Sequence, residues 1–331
     1  YGSLGYLLSY TITFLFALII SLPYVLIGLY KSISSNNYFY LCYIASLFVL
    51  AEYLKSILYG GFSWLLIGHS QNGTIFDFVY PILGSFAVSY LVVLTSLFFY
   101  KAFNDRNKIS LFFSSALLAV YFLNPILHNN ENTRDLDTVS YTLYQPNIYP
   151  QQSYDSAQYS MIMKKYNAII NMNKTSDLVI FPETIISIPF TKEDEFFKSF
   201  QTTTDDTNML ITGLFSKSDD KLFNSMIFFS DNINIYNKRK LVPFGEYTPW
   251  YNSLLKLAEN LNIPLSNLSS GRERIEKISF GNINIIPMIC FESTFPNLIE
   301  STSDQEIIVN ISNDAWFGDS LAPHQHLQIT Q

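Results

Sequence analysis

Apolar residues run almost unbroken through the first part of the chain and then give way to short apolar runs separated by polar ones. Residues 6–30 carry no charged side chain, and a helix of that length crosses a hydrocarbon core of about 30 Å with some tilt. Pro23 lies inside this stretch and predicts a kink. Residues 38–58 form a second candidate, with Glu52 and Lys55 three positions apart on one helical face. Charges at membrane depth are costly, so these two read either as an interfacial ion pair or as part of a route for substrate. Residues 59–76 are interrupted by Gly60, Gly61, Gly68 and Gly73 and carry Trp64 and His69, which predicts an interfacial or re-entrant segment. A lone His69 there reads as a hydrogen-bonded interfacial residue before it reads as a metal ligand. Two further apolar stretches, 78–100 and 109–127, complete a transmembrane region of about four helices over residues 1–128.

From residue 139 the period changes. VSYTLYQPN, DLVIFPET and NMLITGLF read as strands, residues 155–173 as an amphipathic helix, and LFNSMIFFSDNINIYNK as a hairpin. Helices are expected near 193–201, from Trp250 and near 295, strands from about 274 to 290, and a last strand at EIIVNIS leading into NDAWFGDS. Strands alternating with helices predict an α/β domain over residues 138–331.

Charge and cysteine usage narrow the function classes. The net charge of −7 over 331 residues, without a long basic block, argues against a nucleic-acid partner. Two cysteines, Cys42 and Cys290, make neither a disulfide framework nor a zinc site, so Cys290 reads as a thiol. Lys101, Arg106 and Lys108 against Asp105, together with Lys31, place those linkers in the cytoplasm by the positive-inside rule. The segment around Trp64 and the α/β domain then lie on the opposite, periplasmic side of a bacterial inner membrane. The first residues do not read as a signal peptide, and the start at Tyr1 and stop at Gln331 predict a fragment of a longer, C-terminally truncated protein.

Three apolar runs end in reactive groups. Cys290 closes IIPMI, and a strand that turns sharply there presents its sulfur and the next backbone N–H at the strand's carboxyl end. A buried core thiol is the competing reading. Glu183 ends DLVIFPE, where desolvation suits a general base, although an acid opening a helix has the same pattern. Lys238 and Lys240 lie two apart on an extended run, so both project to one face and Arg239 to the other. Spacing does not choose between them, and solvated strand lysines remain an alternative. His324 and His326 form an H-x-H that lacks the further ligands a metal site needs.

Together QPNI at 145–148, FPET at 181–184, YNKRKLVPFGEYTP at 236–249, ICFES at 289–293 and NDAWFGDSLAPHQH at 313–326 resemble the nitrilase, or carbon–nitrogen hydrolase, superfamily. With AEYLKSILYGGFSWLLIGHSQ in the apolar half, the chain is most similar to its membrane branch, the bacterial apolipoprotein N-acyltransferases. That resemblance implies a multi-span helical membrane region followed by an αββα sandwich. It implies Glu183 as base, Lys238 (eight residues before the Glu of PFGE) as cation and Cys290 as nucleophile, with Glu246 and Glu292 in support. Phe291 stands where the family commonly has Tyr, and Trp316 and Phe317 match a mobile aromatic region that, with Trp64, would border the substrate entrance. The implied reaction moves an acyl chain from a phospholipid, through a Cys290 thioester, to the α-amino group of a diacylglyceryl-cysteine apolipoprotein. It needs the bilayer but no cofactor or metal, and the protein is expected to be a monomer. A membrane-tethered amidase or nitrilase-type hydrolase and a non-enzymatic scaffold are the rivals. The family also implies a further membrane helix beyond Gln331.

Overall fold

A computed structural model describes residues 6–28, 38–58, 61–74, 76–116, 119, 138–148, 156–172, 176–190, 197–198, 208–248, 267–272, 277–299 and 306–331. The chain divides into two compact units, one of Tyr1–Thr133 with His324–Gln331 and one of Arg134–Pro323.

In the first unit α1 (Tyr6–Ser21) passes through a 3₁₀ turn at Leu22–Tyr24 into α2 (Val25–Gly28), and Pro23 sits in that turn. Then come α3 (Tyr38–Ile57) and α4 (Tyr80–Asn104), the latter broken at Gly84, whose φ is 75°. Among the described residues three stretches are long and apolar enough to cross a membrane, Ser9–Gly28, Tyr38–Ile57 and Asp77–Asn104. Of the fourth expected span, 109–127, only residues 109–116 and 119 are described, and they are helical.

The segment between α3 and α4 is irregular, and side chains from the two helices satisfy its backbone. Glu52 accepts from the Ile67 N–H at 2.7 Å, and Ser89 accepts from the Gly68 N–H at 2.9 Å. Lys55 donates to the Trp64 and Leu65 carbonyls at 3.0 and 3.2 Å, and the Tyr80 hydroxyl to the Gly68 carbonyl. Glu52 and Lys55 therefore do not form the ion pair their spacing suggests; each reaches instead for peptide groups of the irregular segment. A side chain at Gly68 is excluded, since its Cβ would lie 2.3 Å from the Ser85 carbonyl oxygen. His69 buries its Nδ1 without a partner among the described residues.

The second unit is layered. A six-stranded sheet has the order β1 (Tyr141–Leu143), β2 (Leu178–Ile180), β4 (Met209–Ser218), β5 (Lys221–Phe229), β6 (Asn234–Asn237), with β3 (Pro189–Phe190) beside β4. β1, β2 and β4 run parallel, and β4, β5 and β6 form an antiparallel meander. A three-stranded sheet joins β7 (Ile278–Phe280), β8 (Ile283–Ile289) and β9 (Glu306–Ile311). Side chains alternate across the larger sheet as a period of two requires. Val179, Leu210, Ile227 and Phe229 meet Ile162, Tyr166 and Ile170 of α5 (Ser156–Met172) on one face. Leu178, Met209, Ile211, Met226 and Phe228 meet Ile285, Ile289, Val309 and Ile311 of the smaller sheet on the other. These are helix, sheet and sheet of the expected αββα sandwich. The helix expected from Trp250 and most of that near 193–201 lie outside the described residues. Where a helix was expected near 295, the chain makes 3₁₀ turns at Cys290–Thr294 and Pro296–Leu298.

Phe228 is fully buried where the two sheets meet. Phe228→Ala is expected to cost roughly 3–5 kcal/mol, as truncating a core aromatic does. Urea unfolding in mild detergent, followed by circular dichroism, should show a lower midpoint; an unchanged midpoint would contradict this packing.

Candidate active site

Each of the three chain ends that carry reactive groups is held in place by a neighbouring strand. Beyond β2 the chain crosses over β4: Phe181 N–H donates to the Ile211 carbonyl (2.8 Å), Gly213 N–H to Pro182 (3.1 Å) and Ile185 N–H to Gly213 (3.0 Å). The crossing is so close that a Cβ on Gly213 would lie 2.5 Å from the Glu183 Cα. Thr184, a β-branched residue, is held at φ 48° directly after Glu183, a backbone strain of the kind that concentrates at functional sites.

Lys238 follows the last residue of β6. Its N–H donates to the Asn224 carbonyl and its own carbonyl accepts from Gly271, both at 2.8 Å. Its Nζ lies 2.9 Å from Glu246 Oε1 and 3.4 Å from Glu183 Oε1, with the side chain 1% exposed. Glu246 is folded back by the PFGE turn, where Val242 N–H donates to its Oε2 at 2.8 Å and Phe244 adopts φ 61°. β6 ends at Asn237, so the alternation expected of Lys238 and Lys240 does not extend that far. Lys240 places its Nζ 5.6 Å from the centre of the Phe295 ring, and only Lys238 joins the carboxylates.

Asn224, which the motif reading overlooked, completes the cluster. Its Nδ2 donates to Glu183 Oε1 at 2.7 Å and to Glu246 Oε1 at 2.6 Å. The one signal in the sequence was an amide inside the otherwise apolar strand LFNSMIFF, and nothing local says what it faces. The second Glu183 oxygen accepts from the Asn313 N–H at 3.0 Å.

Cys290 sits at φ 51° after β8, the left-handed geometry of a sharp elbow, and its thiol is hydrogen-bonded to Ser312. Burial pushes the thiol well above its usual range and the Glu183 carboxylate pushes the same way; Lys238 and the Ser312 hydroxyl oppose them. For Lys238, burial disfavours the charge, but Glu183, Glu246 and Cys290 outweigh it and hold the ammonium above the ordinary lysine range. The resting site thus sets a thiol and an ammonium beside Glu183 and Glu246. A cavity of about 450 Å³ adjoins it, lined by Gln145, Asn147, Tyr166, Glu183, Ser312 and Asp314 among others.

Glu292 is fully buried and bonded to the turn after Lys238. Trp316 and Phe317, on a 3₁₀ turn at Asp314–Phe317, are 47% and 40% exposed and so are not core residues. Trp64 lies in the first unit, where it stacks on His326 (5.4 Å between ring centres) and donates to Gln325 at 3.2 Å. That helix, α6 (Ala322–Thr330), carries the H-x-H motif and buries His326.

The site thus joins an elbow cysteine to a carboxylate–lysine cluster on a layered α/β domain. Residues 142–331 match the family model described as carbon-nitrogen hydrolase, and the chain belongs to that family. Residues 1–98 match the apolipoprotein N-acyltransferase N-terminal domain. Among curated relatives, the apolipoprotein N-acyltransferase of Haemophilus ducreyi is 30% identical over 305 residues, 87% of this chain and 60% of its own length. That of Rickettsia prowazekii is 30% identical over 312 residues, 90% of this chain and 62% of its own length. The chain therefore spans about three fifths of the length of these relatives.

The charges around Cys290 fix the sign of two substitutions. Lys238→Met removes the opposing cation and should raise the pH midpoint of Cys290 alkylation by iodoacetamide; Glu183→Gln removes a carboxylate and should lower it. Peptide-resolved mass spectrometry reads both. Shifts of the opposite sign would show that these side chains do not face the thiol.

Proposed function

We propose that this chain belongs to an apolipoprotein N-acyltransferase, with Glu183, Lys238 and Cys290 as its catalytic residues. The observation that carries the reading is a single chain holding the buried Glu183–Lys238–Glu246 cluster beside an elbow cysteine, preceded by a segment that matches the N-terminal domain of those enzymes. The relatives' names supply the acceptor.

In this reading Glu183 takes the proton from the Cys290 thiol as the sulfur attacks an ester carbonyl of a phospholipid. The ammonium of Lys238 and the backbone N–H of Phe291 hold the oxyanion. On collapse the ester oxygen leaves as lysophospholipid, taking the proton from Glu183, and a thioester remains. The neutral α-amine of a diacylglyceryl-cysteine then attacks the thioester carbonyl and gives a proton to Glu183, which returns it to the departing thiolate. The amide product is a triacylated lipoprotein. A resting thiol suits this cycle, because the proton is lost only as the C–S bond forms. Trp316 and Phe317, both exposed, would give the lipid chains an apolar surface at the entrance. The positive-inside count puts the catalytic domain on the periplasmic side of the inner membrane.

Intact mass of the full-length protein after incubation with a phospholipid tests the proposal, with Cys290→Ser alongside. We expect an added acyl mass that hydroxylamine removes and that a diacylglyceryl-cysteine peptide discharges as its N-acyl product; Cys290→Ser should carry no hydroxylamine-labile acyl. Acyl mass lost only as free fatty acid would instead make the protein a hydrolase. Glu183→Gln should slow adduct formation by about 10²–10⁴-fold, the usual contribution of a positioned base. Trp316→Ala should slow lipid turnover without altering the circular dichroism; unchanged turnover would remove Trp316 from the entrance.

A further inference from the structure

Glu292 follows the nucleophile by two residues and is the most completely enclosed carboxylate of the site, at 0% exposure. Its partners come from both sheets. Oε2 accepts from the N–H of Ile289, the last residue of β8, at 2.8 Å. Oε1 accepts from the N–H groups of Arg239 at 2.7 Å and Lys240 at 3.2 Å, the two residues after Lys238. The hydroxyl of Tyr236, on β6, lies 3.0 Å from each oxygen. Arg239 extends the network, with Nε donating to the Tyr236 hydroxyl at 3.3 Å and Nη2 to the Leu298 carbonyl at 3.1 Å.

A carboxylate offers about four lone-pair directions, and these four donor groups fill them. A buried acid so engaged has no lone pair to offer a substrate or a travelling proton. It does have a mechanical position: one oxygen grips the strand end that carries Cys290, the other the turn that follows Lys238. The two catalytic groups belong to different sheets, and among the described residues no strand pairing links β6 with β8. The side chains packed between those sheets form an apolar cluster, whose contacts are not directional, and the Asn313 N–H that reaches Glu183 ties down a different pair of strand ends. A carboxylate held by N–H groups from both sides is directional.

We propose that Glu292 is a positioning residue that sets the separation of Cys290 and Lys238 by clamping the elbow after β8 to the turn after β6, and that it takes no part in proton transfer. The proposal rests on Cys290 being the nucleophile and Lys238 its cation. Glu292→Gln keeps the size of the side chain but turns one acceptor into a donor, which must then face the Ile289 N–H or the Arg239 and Lys240 N–H groups. One sheet end is released, and Lys238 withdraws from the sulfur.

The experiment is the pH profile of Cys290 alkylation by iodoacetamide in the full-length protein in detergent, read on the Cys290 peptide by mass spectrometry so that Cys42 does not interfere. With Glu292→Gln we expect the midpoint to rise and alkylation at neutral pH to slow by about tenfold, which corresponds to one pKa unit. Tyr236→Phe removes one donor and leaves the backbone grips, so its midpoint should move the same way by less; it decides the matter if circular dichroism shows Glu292→Gln to be unfolded. Wild-type midpoints in the folded variants would overturn the proposal, and wild-type alkylation with acyl transfer abolished would make Glu292 a participant in the chemistry. The alkylation requires no lipid, so failure of the acyl-transfer reading appears separately, as absence of the acyl adduct on wild-type protein.

Discussion

The ammonium of Lys238 is enclosed in a folded α/β domain, and the site is arranged around that burial. Removing such a charge from water costs several kcal/mol even after relaxation, and one carboxylate at ordinary distance does not offset it. The domain supplies two, at 2.9 and 3.4 Å. Two carboxylates about one cation would repel each other, and Asn224 answers this by donating to both. Each requirement then reaches outward. Glu183 must cross over Gly213, the PFGE turn must fold back with Phe244 at positive φ, and the segment through Gly271 must close over Lys238. Burial, seconded by the Glu183 carboxylate, holds the Cys290 thiol above its usual range, while Lys238 pulls the other way.

What local pattern can reveal, it revealed well. The strands around Leu178–Ile180, Met209–Ser218 and Ile283–Ile289 follow from apolar runs bounded by polar turns, because burial on one or both faces leaves a direct mark on residue choice. The change from α-helix to a 3₁₀ turn at Pro23 follows from the missing N–H. Local pattern failed where the outcome depended on distant partners. Lys238 and Lys240 look equivalent in an extended run, and the choice between them is made by β6 ending at Asn237 and by the Phe295 ring, which lies 55 residues further on. Asn224 is one amide in a strand, and its importance depends on two carboxylates brought in by other loops. Glu292 reads as one more acid beside the nucleophile until its four donors are counted.

The membrane unit meets the same physical demand with different means. A backbone that leaves the helix between α3 and α4 gives up its regular hydrogen bonds, and its buried peptide groups need other partners. Glu52, Lys55, Ser89 and Tyr80 do so by reaching from two helices to the peptides of residues 64–68. An ion pair between Glu52 and Lys55 would have neutralised the two charges and left those peptides unserved. Spending each charge on the backbone makes the irregular segment a fixed element rather than a loose loop. Trp64 is consequently presented at a defined place, where its ring stacks on His326 and its indole N–H finds Gln325. Asn72, at the other end of the same segment, donates to the Gln331 side chain at 2.9 Å. The segment thus holds α6 and the residue that follows it at two separated points, with His326 buried against Trp64.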